Sequence, residues 1–191
     1  MKTSTQLKAL VRNLSKAKHV EAEIIQRNFM LERFLERISL SEYKNSFILN
    51  VDITTEDFVT PRQVQYTFQL MFEDRTISIL AYNPETVLAE KFETIITRSV
   101  TTSRMRDFYD IYILTYTQPF DSDIFKTALS KTVENRGTSE QMADTHGVIK
   151  AITDNTILIN LWQRYQKKYN YAADVSWEMA IDALNKLAKM I

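Results

Sequence analysis

Lys91 is the first residue whose setting suggests chemistry. It lies four residues after Val87 and three after Leu88, in a segment whose apolar residues recur at helical spacing. We therefore expect its side chain to lie on or beside the buried stripe of a helix. An ammonium group kept out of water needs an anionic partner, because an unpaired buried charge is costly. The sequence predicts that Lys91 binds either a carboxylate of this chain or a phosphate of a ligand.

Asp107 and Asp110 are the carboxylates best placed to meet such a lysine. They lie three residues apart in a segment that is apolar around most of a helix, so they share one face. Arg104 and Arg106 lie beside them. In one interpretation the three cations bind triphosphate oxygens, while an aspartate orients the lysine or helps to activate an attacking hydroxyl. In the other, a cation pairs with Asp110 to latch two helices together, which is the commoner arrangement on residue types alone.

Asp52 is a third carboxylate of interest. It interrupts an apolar run, residues 47–53, of the kind expected of a strand that is buried on both faces. In metal-dependent phosphoryl transfer, carboxylates at strand ends hold Mg²⁺. A single aspartate at this position is equally suited to cap the turn that begins at Thr54. The residues leave both roles open.

A segment near the C-terminus mixes positive charge with aromatic rings. It interleaves three cations with three tyrosines: Arg164, Lys167 and Lys168 with Tyr165, Tyr169 and Tyr171. RNA-binding proteins use such a mixture of charge and stacking surface. Helical spacing favours the other interpretation, in which Trp162, Tyr165 and Tyr169 form a core-facing stripe and the lysines lie in water.

The elements that must position these residues predict an α+β protein. Residues 1–81 are expected to hold two helices, at about 5–18 and 20–39, followed by a strand at 47–53 and a hairpin of strands at about 65–72 and 76–80. In the second helix, the apolar stripe from Ile24 to Ile38, which includes Leu31 and Phe34, is expected to face the core, with Glu32 and its charged neighbours in water. Residues 82–191 are expected to form a C-terminal helical domain, with helices at about 84–98, 104–117, 121–135, 140–169 (broken near Gly147) and 176–189.

Composition excludes several classes of site. The chain of 191 residues has 24 basic and 24 acidic residues, so any binding of nucleic acid must be local. It has no cysteine and only two histidines, which argues against zinc sites and cysteine nucleophiles and suits a cytoplasmic protein. The two glycines are too few for a glycine-rich phosphate loop. We see no segment of membrane-spanning length and expect no membrane partner.

Several motifs, in the same order, resemble the AbiEii/AbiGii toxin family. They are Val51-Asp-Ile-Thr-Thr, Leu80-Ala-Tyr-Asn-Pro-Glu-Thr-Val-Leu-Ala-Glu-Lys, Arg104-Met-Arg-Asp-Phe-Tyr-Asp-Ile-Tyr and Tyr165-Gln-Lys-Lys-Tyr. The resemblance implies a polymerase-beta-like nucleotidyltransferase fold, the use of Mg²⁺ and an NTP, and a gene beside that of a cognate antitoxin in a bacterial phage-defence (abortive-infection) module. Some members modify tRNA. By this resemblance Asp52 is the core-strand aspartate and a metal ligand, Lys91 the motif lysine, and Asp107 and Asp110 the last acidic motif.

The chain departs from the family pattern at the entrance to the catalytic sheet. Family members follow the strand equivalent to Phe47-Ile-Leu with a Gly-Gly or Gly-Ser turn and, further on, a D-x-D pair that binds metal. In this chain Leu49 and Asn50 run directly into Val51. The expected sheet is therefore a shortened one, flanked by N-terminal helices and the C-terminal helical bundle. Two hypotheses follow, a nucleotidyltransferase toxin that modifies RNA and a non-catalytic module that binds antitoxin or RNA.

Overall fold

The fold is described by a computed structural model for residues 3–41, 48–49 and 64–191. Two compact units can be distinguished within it. The described residues of the first unit are 3–41, 48–49 and 64–81, and those of the second are 82–191. Helices predominate and one small sheet is present, so the predicted α+β class is confirmed.

The first unit begins with two helices, α1 (Ser4–Lys18) and α2 (Ala22–Ser39). Helix α1 starts with a capping box, in which the Thr3 hydroxyl accepts from the Gln6 amide and the Gln6 side chain accepts from the Thr3 amide. The helix ends at His19, whose φ of 53° lies in the left-handed region. This turn lets the chain reverse into α2.

The sheet of the first unit has the order β1-β3-β2. Its strands are β1 (Ile48–Leu49), β2 (Val64–Gln69) and β3 (Thr76–Ala81). Strand β2 pairs antiparallel with β3, with Tyr66 opposite Ile79, so the predicted hairpin is confirmed. Strand β1 pairs parallel with β3. The rest of the strand expected at 47–53, with Asp52, lies outside the described residues.

The orientation predicted for α2 is confirmed for Ile25, which is 4% exposed, and is wrong for another part of the stripe. Leu31 and Phe34, which were expected in the core, are 55% and 58% exposed, whereas Glu32 is only 2% exposed. The reason is a tertiary contact, because Glu32 Oε2 accepts a hydrogen bond of 2.8 Å from the backbone amide of Met71, in the turn between β2 and β3. Arg33 balances the buried charge at 2.7 Å. A hydrogen-bonded ion pair has thus replaced apolar burial on this face.

The second unit is helical. Its helices are α3 (Pro84–Arg98), α4 (Met105–Thr117), α5 (Ser122–Arg136), α6 (Ser139–Met142), α7 (Thr145–Thr153), α8 (Thr156–Lys168) and α9 (Trp177–Ala188). The segment 140–169, predicted to break once, breaks twice. The second break lies at Asn155, whose side chain caps α8 by accepting from the amides of Ile157 and Leu158.

The core of the second unit forms around α3, α4 and α9. Helix α3 packs against α4 and α5, and α4 packs against α8 and α9. The largest side chains with almost no exposed surface include Phe92, Phe108, Phe125 and Trp162. The indole of Trp162 donates to the carbonyl of Val175 at 3.0 Å, so its polar atom is satisfied. No helix in the described part of the chain combines the length and apolar character needed to cross a bilayer.

Candidate functional site

Helix α3 fixes the position of Lys91. The helix starts at Pro84, and the side chain of Asn83 caps it by accepting from the Thr86 amide at 2.8 Å. One face of α3 is fully buried and carries Leu88, Phe92 and further apolar residues. Lys91 lies at the edge of that face with 17% of its side chain exposed. The predicted position beside the buried stripe is therefore confirmed.

Helix α4 carries the two aspartates. It buries Phe108 and Ile111 completely, and Asp107 lies in its first turn, where a negative charge is favoured by the helix dipole. The Asp107 side chain is 9% exposed and that of Asp110 is 24% exposed. Asp107 is thus the deeper carboxylate and Asp110 the more accessible one.

The Lys91 ammonium bridges both carboxylates. Its Nζ donates to Asp107 Oδ1 at 2.8 Å and forms an ion pair with Asp110 Oδ2 at 2.9 Å. An ammonium carries three N–H donors, and two of them are directed to these oxygens. No residue in the described part of the chain receives the third. The three side chains form a compact cluster with one donor to spare.

Arg104 and Arg106 border this cluster. Arg104 Nη1 lies 3.9 Å from Asp107 Oδ2, and Arg106 Nε lies 3.6 Å from Asp110 Oδ2. Their side chains are 48% and 64% exposed, so these pairs are long and solvated. Both guanidinium groups can turn towards an added anion without leaving a buried carboxylate unpaired, because Lys91 remains with both aspartates.

The surroundings keep Lys91 charged. Burial by itself would lower the pKa of Lys91, but the interactions with Asp107 and Asp110 outweigh it and raise that pKa above its ordinary value. Lys91 therefore acts as a fixed cation and does not serve as a base near neutral pH. A permanent ammonium with a spare donor is suited to bind a phosphate oxygen.

Tyrosines form the other border of the cluster. Tyr109 immediately precedes Asp110 on α4, and its ring lies 6.4 Å from that of Tyr165 on α8. Burial chiefly, with the negative charge of Asp110 among the other causes, raises the pKa of both Tyr109 and Tyr165. Sequence reasoning did not connect the two segments. Tyr109, which lies between the two aspartates in the sequence, was the signal that could have done so.

The residues predicted to carry chemistry are thus largely brought together. The second unit brings together five of them, which we call the Lys91 cluster: Lys91, Asp107 and Asp110, with Arg104 and Arg106 at their border. The contacts agree with the latch interpretation, in which a cation pairs with Asp110 to join two helices. They are also compatible with the interpretation in which the cations bind phosphate oxygens. Their catalytic and nucleotide-binding roles stay predictions.

The described residues hold no cluster of three or more metal-binding side chains. Among residues 3–41, 48–49 and 64–191, no group of three or more His, Cys, Asp or Glu side chains could hold a metal ion. The Lys91 ammonium also contacts one carboxylate oxygen of Asp107 and one of Asp110, so a positive charge already lies beside both oxygens. Asp52, the predicted metal ligand, lies outside the described residues.

Comparison with known proteins gives a family for nearly the whole chain. No curated protein and no solved structure matches it. A family model described as nucleotidyl transferase AbiEii toxin, type IV toxin–antitoxin system, matches residues 5–183. That match includes both units and all five residues of the Lys91 cluster, as the resemblance of the motifs implied. The chain therefore belongs to the AbiEii nucleotidyl transferase toxin family of type IV toxin–antitoxin systems.

Proposed function

We propose that this chain transfers a nucleotide from a nucleoside triphosphate to a hydroxyl group of an RNA, with tRNA as the acceptor. The observation that carries the proposal is the Lys91 ammonium, which is held by Asp107 and Asp110 at 2.8 and 2.9 Å and retains one N–H donor without a described partner. Membership of a nucleotidyl transferase family supports the reaction class. Transfer of this kind depends mainly on positioning and on compensation of phosphate charge.

The cations of the cluster would bind the triphosphate. The spare Lys91 donor reaches one phosphate oxygen, and Arg104 and Arg106, which are largely exposed, reach further oxygens. Guanidinium groups suit this task because their donors pair with two oxygens at once. Charge that develops on the departing pyrophosphate is then compensated by groups that are already in place.

The two aspartates would have different roles. Asp107 is nearly buried and holds Lys91 in position, so it is a positioning residue. Asp110 is more exposed and only its Oδ2 takes part in the ion pairs. In the proposed step an RNA hydroxyl oxygen forms a bond to the α-phosphorus, its proton passes to Asp110, and the bond from the α-phosphorus to the pyrophosphate oxygen breaks with its electron pair on pyrophosphate.

The family supports a proposal about the cellular setting. A type IV toxin–antitoxin system implies an antitoxin as partner. We propose that the chain acts in the bacterial cytoplasm, where nucleoside triphosphates and tRNA are available, and that its activity limits phage infection.

The direct test is nucleotide transfer. The full chain is incubated with total tRNA, magnesium chloride and each α-³²P-labelled nucleoside triphosphate in turn. We expect label in tRNA with the wild type, loss of that label with Lys91→Met, and normal labelling with Lys126→Met, which removes a lysine that is 50% exposed and lies 3.7 Å from Asp123. Circular dichroism of each variant verifies folding. Failure of the wild type to label RNA with any nucleotide contradicts the proposal.

A non-catalytic binding module is the second candidate. It is favoured by the pairing of Lys91 with two carboxylates, which already satisfies a structural latch. In that case calorimetry detects no nucleotide binding that depends on Lys91, and the chain still binds antitoxin or RNA. Nucleotide binding that is lost in Lys91→Met excludes the simple latch.

A further inference from the structure

Six of the nine tyrosines of the chain lie together in the second unit. We call them the tyrosine surface: Tyr109, Tyr112 and Tyr116 on α4, Tyr165 at the end of α8, and Tyr169 and Tyr171 just after it. Tyr109 links the two groups, because its ring lies 4.9 Å from that of Tyr171. On α4 the series continues with Tyr112 and Tyr116, whose rings are 5.3 Å apart.

Four of the six rings are held in place by their hydroxyl groups. Tyr109 donates to the backbone carbonyl of Tyr171 at 3.1 Å, the Tyr165 and Tyr171 hydroxyls lie 2.8 Å apart, and Tyr116 donates to Asp182 at 2.5 Å. These four hydroxyls are therefore engaged within the protein, which leaves the ring faces to contact a ligand. A fixed ring loses little conformational entropy when a ligand stacks on it.

Part of the tyrosine surface is open to solvent. Tyr171 is 53% exposed and Tyr116 is 46% exposed, whereas Tyr165 is 9% exposed and belongs to the core with Trp162. The prediction of a core-facing stripe is thus confirmed for Trp162 and Tyr165, and Tyr169 is half-buried and packs against the same core. Tyr169 stacks on Tyr171 at 5.4 Å with only 29° between the ring planes.

Positive charge accompanies the rings. Lys168 Nζ lies 5.2 Å from the Tyr169 ring, and Lys186 Nζ lies 4.6 Å from the Tyr116 ring. No carboxylate in the described part of the chain forms an ion pair with Arg164, Lys167 or Lys168. Among the nearby carboxylates, Asp110 is compensated by Lys91, and Asp182 keeps its negative charge while it accepts from Tyr116.

We propose that the tyrosine surface binds single-stranded RNA by stacking of its bases, with Arg164, Lys167 and Lys168 beside the phosphates. Fixed aromatic faces next to unpaired cations are the combination that single-stranded nucleic acids require, whereas a protein partner would call for a drier, less charged patch. The position beside Asp110 allows a bound strand to reach the Lys91 cluster. The inference rests on the proposed function only for the role of this RNA as the acceptor.

The test measures RNA binding by fluorescence anisotropy. The probe is a fluorescein-labelled oligouridine of about 12 nucleotides, free or annealed to its complement, a length within the range that single aromatic binding surfaces cover. Tyr171→Ala is expected to weaken binding of the free strand about tenfold, and Tyr171→Phe, which keeps the ring, to leave it within about twofold of wild type. Tyr66→Ala is the matched control, because Tyr66 is 54% exposed on β2 and is expected to change nothing.

Two results would overturn the inference. One is equal binding by Tyr171→Ala and Tyr66→Ala, and the other is binding of the duplex as tightly as the free strand, which indicates charge without stacking. If Tyr171→Ala does not fold, Lys167→Glu/Lys168→Glu replaces it, and wild-type affinity in that double variant contradicts the inference. Binding of the probe by the wild type without any nucleotide transfer refutes the proposed function and leaves this inference intact.

Discussion

Lys91 Nζ lies 2.8 Å from Asp107 Oδ1, across the interface between α3 and α4. With Asp110 at 2.9 Å, the ammonium has a negative neighbour on each of two successive turns of α4. Its charge therefore compensates two carboxylates that would otherwise repel each other in a partly buried site. The cluster holds the helices together whether or not it binds phosphate, and its contribution to stability can be measured apart from any activity.

Lys91→Met should destabilise the chain by about 3 kcal/mol, because removing one partner of a buried ion pair leaves an uncompensated charge. The measurement is urea unfolding of the purified variants. Lys126→Met, which removes an exposed partner of Asp123, should cost less than about 0.5 kcal/mol. Adding Asp107→Asn and Asp110→Asn to Lys91→Met should recover part of the loss. Equal effects of the two lysine substitutions would show that the cluster does not stabilise the fold.

The contribution of Lys91 to the free energy of unfolding should decrease at alkaline pH. Its pKa is raised in the folded state above the ordinary value of 10.5, so the contribution is complete below about pH 10.5 and is lost as the pH rises through the higher folded value. Urea unfolding of wild type and Lys91→Met from about pH 8 to pH 11 measures it. The difference between the two proteins should stay constant at first and shrink only at the alkaline end. A difference that shrinks already near pH 8 contradicts the raised pKa.

Arg136→Met should be among the more damaging surface substitutions. Arg136 Nη1 lies 2.6 Å from Glu93 Oε2, and the Glu93 side chain is only 2% exposed. The substitution leaves this carboxylate buried and unpaired between α3 and α5, at an expected cost of about 3 kcal/mol. Thermal unfolding is the readout. Lys131→Met, which breaks an exposed pair with Glu134 at 2.8 Å, should have little effect, and Glu93→Gln should rescue Arg136→Met in part.

Tyr116 should titrate later than an ordinary tyrosine. The hydrogen bond to Asp182, with partial burial, raises the pKa of Tyr116 to about 12. The stability linked to this group is complete below the unfolded-state value of about 10 and is lost as the pH rises through 12. Tyrosinate absorbance during alkaline titration should lose a late component in Tyr116→Phe. In Asp182→Asn the same component should move to lower pH, and an unchanged curve would refute the assignment.

Local signals in the sequence predict much of the fold. Pro84 and Ser176 mark the starts of α3 and α9, and both helices begin where these residues indicate. The β2–β3 hairpin follows from two runs of β-forming residues joined by a short charged turn. The predictions of these features are correct because each feature depends on neighbours within a few residues along the chain.

Features that depend on distant residues were not predictable in this way. The burial of Glu32 requires the Met71 amide, 39 residues further along the chain. Likewise, Tyr109 and Tyr171 are 62 residues apart along the chain, and their proximity depends on how α4 packs against α8. In the Lys91 cluster, spacing predicted an anionic partner for the lysine, either a carboxylate or a phosphate, and a shared face for the aspartates. It did not predict that one ammonium contacts both, because that depends on how α3 and α4 cross.

Ser99 is where the backbone between α3 and α4 departs most from ordinary serine geometry. Its φ of 47° and ψ of −136° belong to a region that favours glycine. Ser99→Gly should relieve about 1 kcal/mol of strain, seen as a higher midpoint in urea unfolding. Ser122→Gly, in the first turn of α5, should lower the midpoint, because glycine destabilises ordinary helical positions. A lower midpoint for Ser99→Gly would show that its side chain contributes more than its backbone costs.

The strain at Ser99 limits how the helical pair could be redesigned. The chain uses only two glycines, and neither occupies the one connection that aims α4, and with it Asp107 and Asp110, back at Lys91. Lengthening this connection would relax the serine and also uncouple the ammonium from its carboxylates. Replacing the serine would relax it without changing the path. Thermostable variants should therefore be sought by substituting residues in the connection between α3 and α4. Insertions should be placed outside this connection.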